Sequence, residues 1–379
     1  MHPYVRHARS KQTEIIAFIK SCVECESPSD SPVHVNRFVD LLADQSRDIA
    51  KAKTIQSSDS GKHLRLEFKL PGKQVREQIL GIGHSDTVWP AGTIRSMPFR
   101  RRAGRLYGPG VLDMKSGLAF FIYAMRALRD LDIPVRRKIV LLVVSDEETG
   151  SKTSRAVTEA EAKRSNCVLV VEPGTGLTGK LKTARKGVRN YTVSVEGRAA
   201  HAGVDFSNGA SAILEAARQI EKIAQFTNLE RGITVNPGVI SGGTRTNVIA
   251  AEARIDVDVR IARSRDAAAV DQKFRALKPV DKRCQIRVEG GLNRPPMERT
   301  AGIAQLFAQA QNIAAELELK LEESSTGGGS DGNFTAALGV PTLDGLGGIG
   351  EGAHAVNESI LIDCIPQRVA LLTALLTRL

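Results

Sequence analysis

The spacing of apolar residues changes several times along the chain, and each change marks an element. From Ser10 to Cys22 and from Val33 to Ala43 apolar positions recur three and four residues apart, which predicts two helices. In "HLRLEFKL" they alternate strictly, as in a half-buried strand. "EQILGIGH" is short and mostly apolar. "SGLAFFIYAMRALRDL" returns to helical spacing, with Leu118, Phe121, Ile122, Met125 and Leu128 on one face. "RKIVLLVVSDEE" is an uninterrupted apolar strand ending in acids, and "NCVLVVEP" repeats that form. Uninterrupted apolar strands alternating with helices predict an α/β fold, a mixed and mainly parallel sheet sandwiched by helices.

After Lys186 the texture differs. "GVRNYTVSVEG" alternates as a strand, "GASAILEAARQIEKIAQF" is helical, and "GITVNPGVISGG" and "NVIAAEARIDVDVRIA" read as strands. A helix, "RDAAAVDQKFRAL", and a strand, "RCQIRVEGG", complete the order β-α-β-β-α-β, which is ferredoxin-like. The segment is about 110 residues, enough for a domain. From Pro295 the α/β texture resumes with the helix "GIAQLFAQAQNIAAEL", a strand at "LKLEES", the loop "TGGGSDG" and a final helix. The expected organisation is a catalytic α/β domain at residues 1–185 and 295–379, interrupted by an α+β domain at 186–294.

Composition narrows the class. The chain has 379 residues, 42% hydrophobic and 25% charged, the balance of a folded water-soluble protein. No apolar run approaches the ~20 residues that span a bilayer, so no membrane role is expected. The start, "MHPYVRHARSKQTE", lacks the apolar stretch of a secretory signal, which makes a cytoplasmic location the expectation. Five scattered cysteines, with Cys22 and Cys25 the sole C-x-x-C, read as ordinary reduced thiols. The net charge is +11, with basic clusters at "RSMPFRRRAGR" and "KLKTARKGVR". Aromatic residues are only 4%, and helix-turn-helix, zinc-finger and RNP patterns are lacking. Nucleic acid is therefore not the expected partner; a basic surface also steers small anionic substrates.

The informative polar residues sit where apolar strands end. "GIGHSD", "VVSDEE" and "LVVEP" place His84, Asp86, Glu147, Glu148 and Glu172 at successive strand ends, the edge where open α/β sheets bind ligands. Asp113 follows a glycine turn in "GPGVLDMKSG", and His354 lies in "GEGAHAVNES". Singly each has a plain explanation: Asp113 as a helix cap, Glu147 and Glu148 as a solvated loop, His354 as a loop histidine. Jointly they put five carboxylates at one edge, where they repel unless a cation joins them. Imidazoles beside carboxylates suit zinc, cobalt or manganese better than calcium.

In order along the chain, "GHSDTVWP", "GPGVLDMKSG", "SDEETGS", "VVEP", "GRAAHAG" and "GEGAHAVNES" resemble the motifs of a two-zinc amidohydrolase family. That family includes glutamate carboxypeptidase, acetylornithine deacetylase, succinyl-diaminopimelate desuccinylase and aminoacylase. The resemblance covers nearly the whole chain, inserted domain included. It implies that Asp113 bridges two divalent metal ions, most simply zinc. One ion would also take His84 and Glu172, the other Glu148 and His354. It further implies Asp86 as the acceptor that fixes the His84 tautomer, Glu147 as the general base, and a cis peptide between Asp113 and Met114. The inserted domain would be a lid through which the chain forms a homodimer. His201 would stabilise the oxyanion in the partner subunit's site, and Asn247 would contact substrate. Arg294 would hold a free α-carboxylate, helped by backbone N–H groups of the loop containing Gly329 and Ser330.

Two other readings compete. "GGSDG" fits the G-x-S-x-G nucleophile elbow, with Ser330, Asp344 and His354 in serine-hydrolase order, but it leaves the acid cluster unexplained. A non-enzymatic scaffold on this fold would be expected to lack ligands, and every ligand type is present. Within the enzyme reading, Glu172 in place of an aspartate resembles carboxypeptidases and deacylases more than the aminopeptidase branch, and "GHSDTVWP" and "GGGSDGNFTAALGVPTL" resemble the glutamate carboxypeptidase branch most. The expected substrate is a small N-acyl amino acid or peptide with a free carboxylate, cut to release a C-terminal amino acid such as glutamate. Simple N-acyl amino acid deacylation is the alternative.

Overall fold

The computed structural model describes residues 1–74 and 77–379. The chain separates into two compact units. The first comprises Met1–Ala184, Arg299–Thr326 and Ser330–Leu379; the second comprises Arg185–Glu298 and Gly327–Gly329.

The first unit is built on a six-stranded sheet in the order Ala50–Ile55, His63–Phe68, Lys138–Val144, Gln78–His84, Ser165–Val170, Thr342–Leu343. The first two strands run antiparallel to their neighbours. The other four are parallel. Gln78–His84 is buried along its whole length, as its unbroken apolar run requires. It lies between Lys138–Val144 and Ser165–Val170, so the chain leaves it to one side and returns on the other. The carboxyl ends of these three strands therefore share one edge, at the kind of switch point that leaves a crevice.

Close packing places the next donor. Helix Ser116–Asp130 is buried almost all round. A Cβ on Gly83 would stand 2.6 Å from Leu118 Cδ2, and one on Gly117 would stand 1.9 Å from the Val171 carbonyl oxygen. Only glycine lets the helix lie this near the strands, and that brings the turn before it, with Asp113, to the end of the His84 strand.

A small antiparallel sheet frames the remaining donors, in the order Gly350–Glu351, Ser359–Leu361, Arg105–Tyr107, Arg100–Arg102. The loop carrying His354 joins its first two strands, and the turn to Asp113 follows Tyr107. The apolar pattern did not predict this sheet, whose strands have two or three residues each. Nor did it predict Ala50–Ile55, an edge strand with its lysines in solvent, or helix Pro3–Ser10, which buries only Val5 and Ala8. The strand expected at "LKLEES" forms slightly later, at Glu323–Thr326.

The second unit holds an antiparallel sheet in the order Thr234–Gly242, Glu252–Ile261, Gly187–Glu196, Gln285–Arg294. Helices Ala212–Ala224 and Ala267–Arg275 supply the two crossovers, giving the interleaved ferredoxin-like order. Its core gathers Val193, Val195, Ile255, Val257 and Val259 with Tyr191, whose ring stacks on Phe274 at 3.9 Å.

Candidate metal centre

Five of the strand-end and loop residues converge within the first unit as two groups that share Asp113. His84, Asp113 and Glu172 form one, and Asp113, Glu148 and His354 the other; in each, the ligand atoms lie within 4.8 Å of one another. His84 Nε2 stands 3.1 Å from Asp113 Oδ1 and 3.5 Å from Glu172 Oε1. His354 Nε2 stands 3.3 Å from Asp113 Oδ2 and 3.5 Å from Glu148 Oε1. Asp113 thus presents one carboxylate oxygen to each group. The peptide between Asp113 and Met114 is cis.

Asp86 works differently from the expectation. The near acceptor of the His84 Nδ1–H is the carbonyl oxygen of Asp86, at 2.8 Å, whereas its carboxylate is 3.6 Å away. That carboxylate instead accepts from Ser29 Oγ at 2.9 Å and from the backbone N–H groups of Glu147 and Glu148, both at 3.2 Å. The reason is local: the buried turn after Val144 aims consecutive N–H groups at Asp86, and a carboxylate satisfies several donors at once. Asp86 therefore orients both ring and acids, the ring through its main chain and the Glu147–Glu148 turn through its side chain.

The His84 ring gives a test of what belongs here. A carbonyl can only accept, so Nδ1 carries the proton and the Nε2 lone pair faces two carboxylates. Without a metal, a proton must fill that gap. Burial alone would lower the His84 pKa, but Asp113 and Glu172 outweigh it and hold the ring well above its ordinary value. Asp113 and Glu148 likewise raise His354 to about 10. Burial works to raise Asp113, yet the two imidazoles hold it well below the usual carboxylate range. Burial also pushes Asp86 up to about 6, with His84 opposing and Glu148 adding to the rise. Glu148 Oε1 is buried and receives no hydrogen bond. An acceptor-only oxygen left in that state, among imidazoles and carboxylates, matches a divalent cation in donor type and in charge.

The two groups differ in exposure. The side chain of His84 is 1% exposed and that of His354 is 50% exposed. Glu147 is half-buried, beside Glu148 in sequence but outside both groups. Glu358, which the sequence reading did not single out, is fully buried against the Asp113 turn.

The remaining residues of interest lie in the second unit, apart from Ser330. His201 and Asn247 are exposed on adjoining loops, where the Ala202 N–H donates to the Asn247 carbonyl at 2.9 Å. His201 Nδ1 accepts from the Gly203 N–H at 3.2 Å, which leaves the proton on Nε2. Arg294 is buried at the end of its strand, and Gly329 packs against it so closely that a Cβ there would meet Arg294 Cδ at 2.9 Å. In the first unit Ser330 is buried; it donates its hydroxyl to Asp344 at 2.6 Å and its N–H to Asn333 Oδ1 at 2.9 Å. His354 lies with Asp113 and Glu148 and not with Ser330, so the elbow arrangement does not form.

The profile of peptidase family M20/M25/M40 matches residues 81–378. Carboxypeptidase G2 of Pseudomonas sp. (strain RS-16) is 30% identical over 311 residues, covering 79% of this chain and 73% of that one. Succinyl-diaminopimelate desuccinylase of Acidovorax ebreus is 31% identical over 307 residues, covering 76% of each. The crystal structure of aminopeptidase PepT from Bacillus cereus superimposes with a TM-score of 0.76 at 22% identity, covering 97% of this chain and 98% of that one.

Proposed function

The chain belongs to peptidase family M20/M25/M40, and on that premise we propose that it releases a C-terminal amino acid, glutamate foremost, from an N-acyl or peptidyl substrate. It is a metal-dependent amide hydrolase, with relatives among carboxypeptidases and desuccinylases. The observation that carries the reading is the pair of donor groups joined through the two oxygens of Asp113.

His84, Asp113 and Glu172 would hold one divalent ion and Asp113, Glu148 and His354 the other, zinc being the best match to the donors. When bound, such ions make a water acidic near neutral pH and draw electron density from a scissile carbonyl. Glu147 takes the proton of the attacking water and returns it to the leaving amine. Asp86 keeps Glu147 in place through the N–H it accepts. His201, with its proton on Nε2, donates to the developing oxyanion. Arg294 holds the free α-carboxylate of the substrate through its guanidinium fork, and Asn247 contacts the substrate.

Dimerisation through the second unit belongs to the same reading. Strand Thr234–Gly242 is an edge strand with Val239 and Ile240 exposed, and the adjoining helix Ala212–Ala224 exposes Ile213 and Leu214. An open strand edge and an apolar helix face side by side suit a second copy.

The 31% identity to the desuccinylase keeps a second reading in play, N-acyl amino acid deacylation. One screen decides between them: kcat/KM of the zinc- and cobalt-loaded protein on dipeptides, N-acyl glutamates and other N-acyl amino acids. Preference for one C-terminal residue across varied acyl groups supports the carboxypeptidase. Preference for one acyl group across varied amines supports the deacylase. Full activity after exhaustive chelation would sink both.

A further inference from the structure

Glu358 is a carboxylate beside the centre that accepts four hydrogen bonds. It is 0% exposed. Its Oε2 accepts from Trp89 Nε1 at 2.7 Å and from the Gly110 N–H at 2.8 Å, and its Oε1 accepts from the N–H groups of Leu112 at 2.8 Å and Asp113 at 3.0 Å. Three of the four donors are main-chain groups of the one turn that ends at Asp113. Gly110 opens that turn at φ +72°, a left-handed conformation glycine adopts without strain. The main-chain N–H of Glu358 bonds to the Ala355 carbonyl at 2.8 Å, one residue past His354. One residue therefore ties the Asp113 turn to the His354 loop.

We propose that Glu358 is a positioning residue that fixes the Asp113 carboxylate for both donor groups at once. The proposal rests on the reading of Asp113 as a shared metal ligand. Burying a carboxylate is unfavourable unless hydrogen bonds replace its hydration. Here they do so, and every bond but one serves the Asp113 turn. An amide could not substitute. Glutamine offers one acceptor oxygen, and its NH₂ would confront two of the four donors. The turn would shift, and a bridging ligand tolerates displacements of only about 0.5 Å. Because Asp113 gives one oxygen to each group, both sites would weaken together.

Trp89 supplies an observer. It is the only tryptophan in the chain, and its indole N–H rests on Glu358. Its emission should therefore follow occupation of the centre through the carboxylate they share.

The test is titration of metal-free protein with Co²⁺, read by the visible absorption of cobalt and by Trp89 emission. The wild type should bind two equivalents, and emission should change with them. Glu358→Gln should weaken both equivalents in parallel by about 10–100-fold, the usual cost of losing a group that orients a ligand. It should also alter the cobalt bands and uncouple emission from binding. His354→Ala, by contrast, should weaken one equivalent. Should Glu358→Gln fail to fold, Glu358→Asp carries the same test, since it keeps the charge but withdraws it by one methylene. A folded Glu358→Gln protein with wild-type affinity for both equivalents overturns the proposal, as does loss confined to one. A wild type that binds no cobalt overturns the metal reading itself, a different result.

Discussion

The edge of the six-stranded sheet and the loops of the second unit hold their functional candidates in opposite ways. At the sheet edge several candidates are held by neighbouring groups. His84 is set by the Asp86 carbonyl, the Glu147–Glu148 turn by the Asp86 carboxylate, and Asp113 by the N–H its turn gives to Glu358. In the second unit His201 and Asn247 are exposed; a main-chain bond joins their loops, and the His201 ring accepts one N–H, from Gly203. The difference teaches a division of labour. Groups that bring like charges together are costly to assemble, and holding them in place beforehand spares that cost when a cation binds. Groups proposed to meet a substrate, as His201 and Asn247 are, would gain by staying open to it.

The comparison predicts the steepest losses at the sheet edge. Asp113→Ala removes the one residue common to both groups and should abolish activity along with both metal equivalents. Elemental analysis after dialysis checks this, and a protein still holding two equivalents would break the shared-ligand assignment. Glu147→Gln should separate binding from chemistry. Both metals stay, because Glu147 lies in neither group, while kcat falls by about a hundred- to ten-thousand-fold, the worth of a positioned base. Near wild-type kcat with full metal content would remove Glu147 from the mechanism.

In the second unit losses should be smaller and repairable in trans. His201→Ala should lower kcat by about a hundred- to a thousand-fold, the usual effect of one oxyanion donor. If His201 serves the partner copy, mixing this variant with Glu147→Gln should restore activity. Half of randomly exchanged dimers are mixed, and one of the two sites in each has both residues, so about a quarter of wild-type activity should return. Light scattering on the separate proteins and a mass-tagged exchange assay establish that mixed dimers form. A mixture that exchanges and stays inactive would place His201 in its own subunit's chemistry.

What could be read from sequence follows the same divide. The sheet edge was legible because physics repeats there: apolar strands of one period, each ending in acids or histidine, cannot help presenting them together. The ferredoxin-like order was legible for the same reason, its strands alternating over ten residues. Short elements were not. Arg100–Arg102 and Gly350–Glu351 have too few residues for any period, and only their pairing with neighbouring strands reveals them. The role of Asp86 was half legible. A carboxylate two residues from a histidine suggests a ring partner, but whether main chain or side chain does the work depends on where the Glu147–Glu148 turn aims its N–H groups. Glu358 gave no separate signal, since an acid after a loop is ordinary until the turn it caps is seen.

The smallest predicted effect is also the most specific to substrate. Arg294 is buried at the end of its strand, and the glycine loop at Gly329 packs on its aliphatic stem. Arg185 holds the same loop by donating to the carbonyls of Gly328 and Gly329 at 3.0 and 2.9 Å. Removing the Arg294 side chain therefore risks loosening the loop as well as deleting a charge. Arg294→Lys separates the two, since it keeps the stem and the charge and loses only the planar fork. For a substrate with a free α-carboxylate, Arg294→Ala should raise KM and lower kcat/KM by about 10–100-fold, matching the roughly 1.5–3 kcal/mol of a charge-assisted hydrogen bond. Arg294→Lys should fall between that and the wild type. The same substrates amidated at the carboxylate should be poor with all three proteins and nearly indifferent to the change. Equal losses on free and amidated substrates would show that Arg294 acts by supporting the loop, and the carboxylate would then need another host.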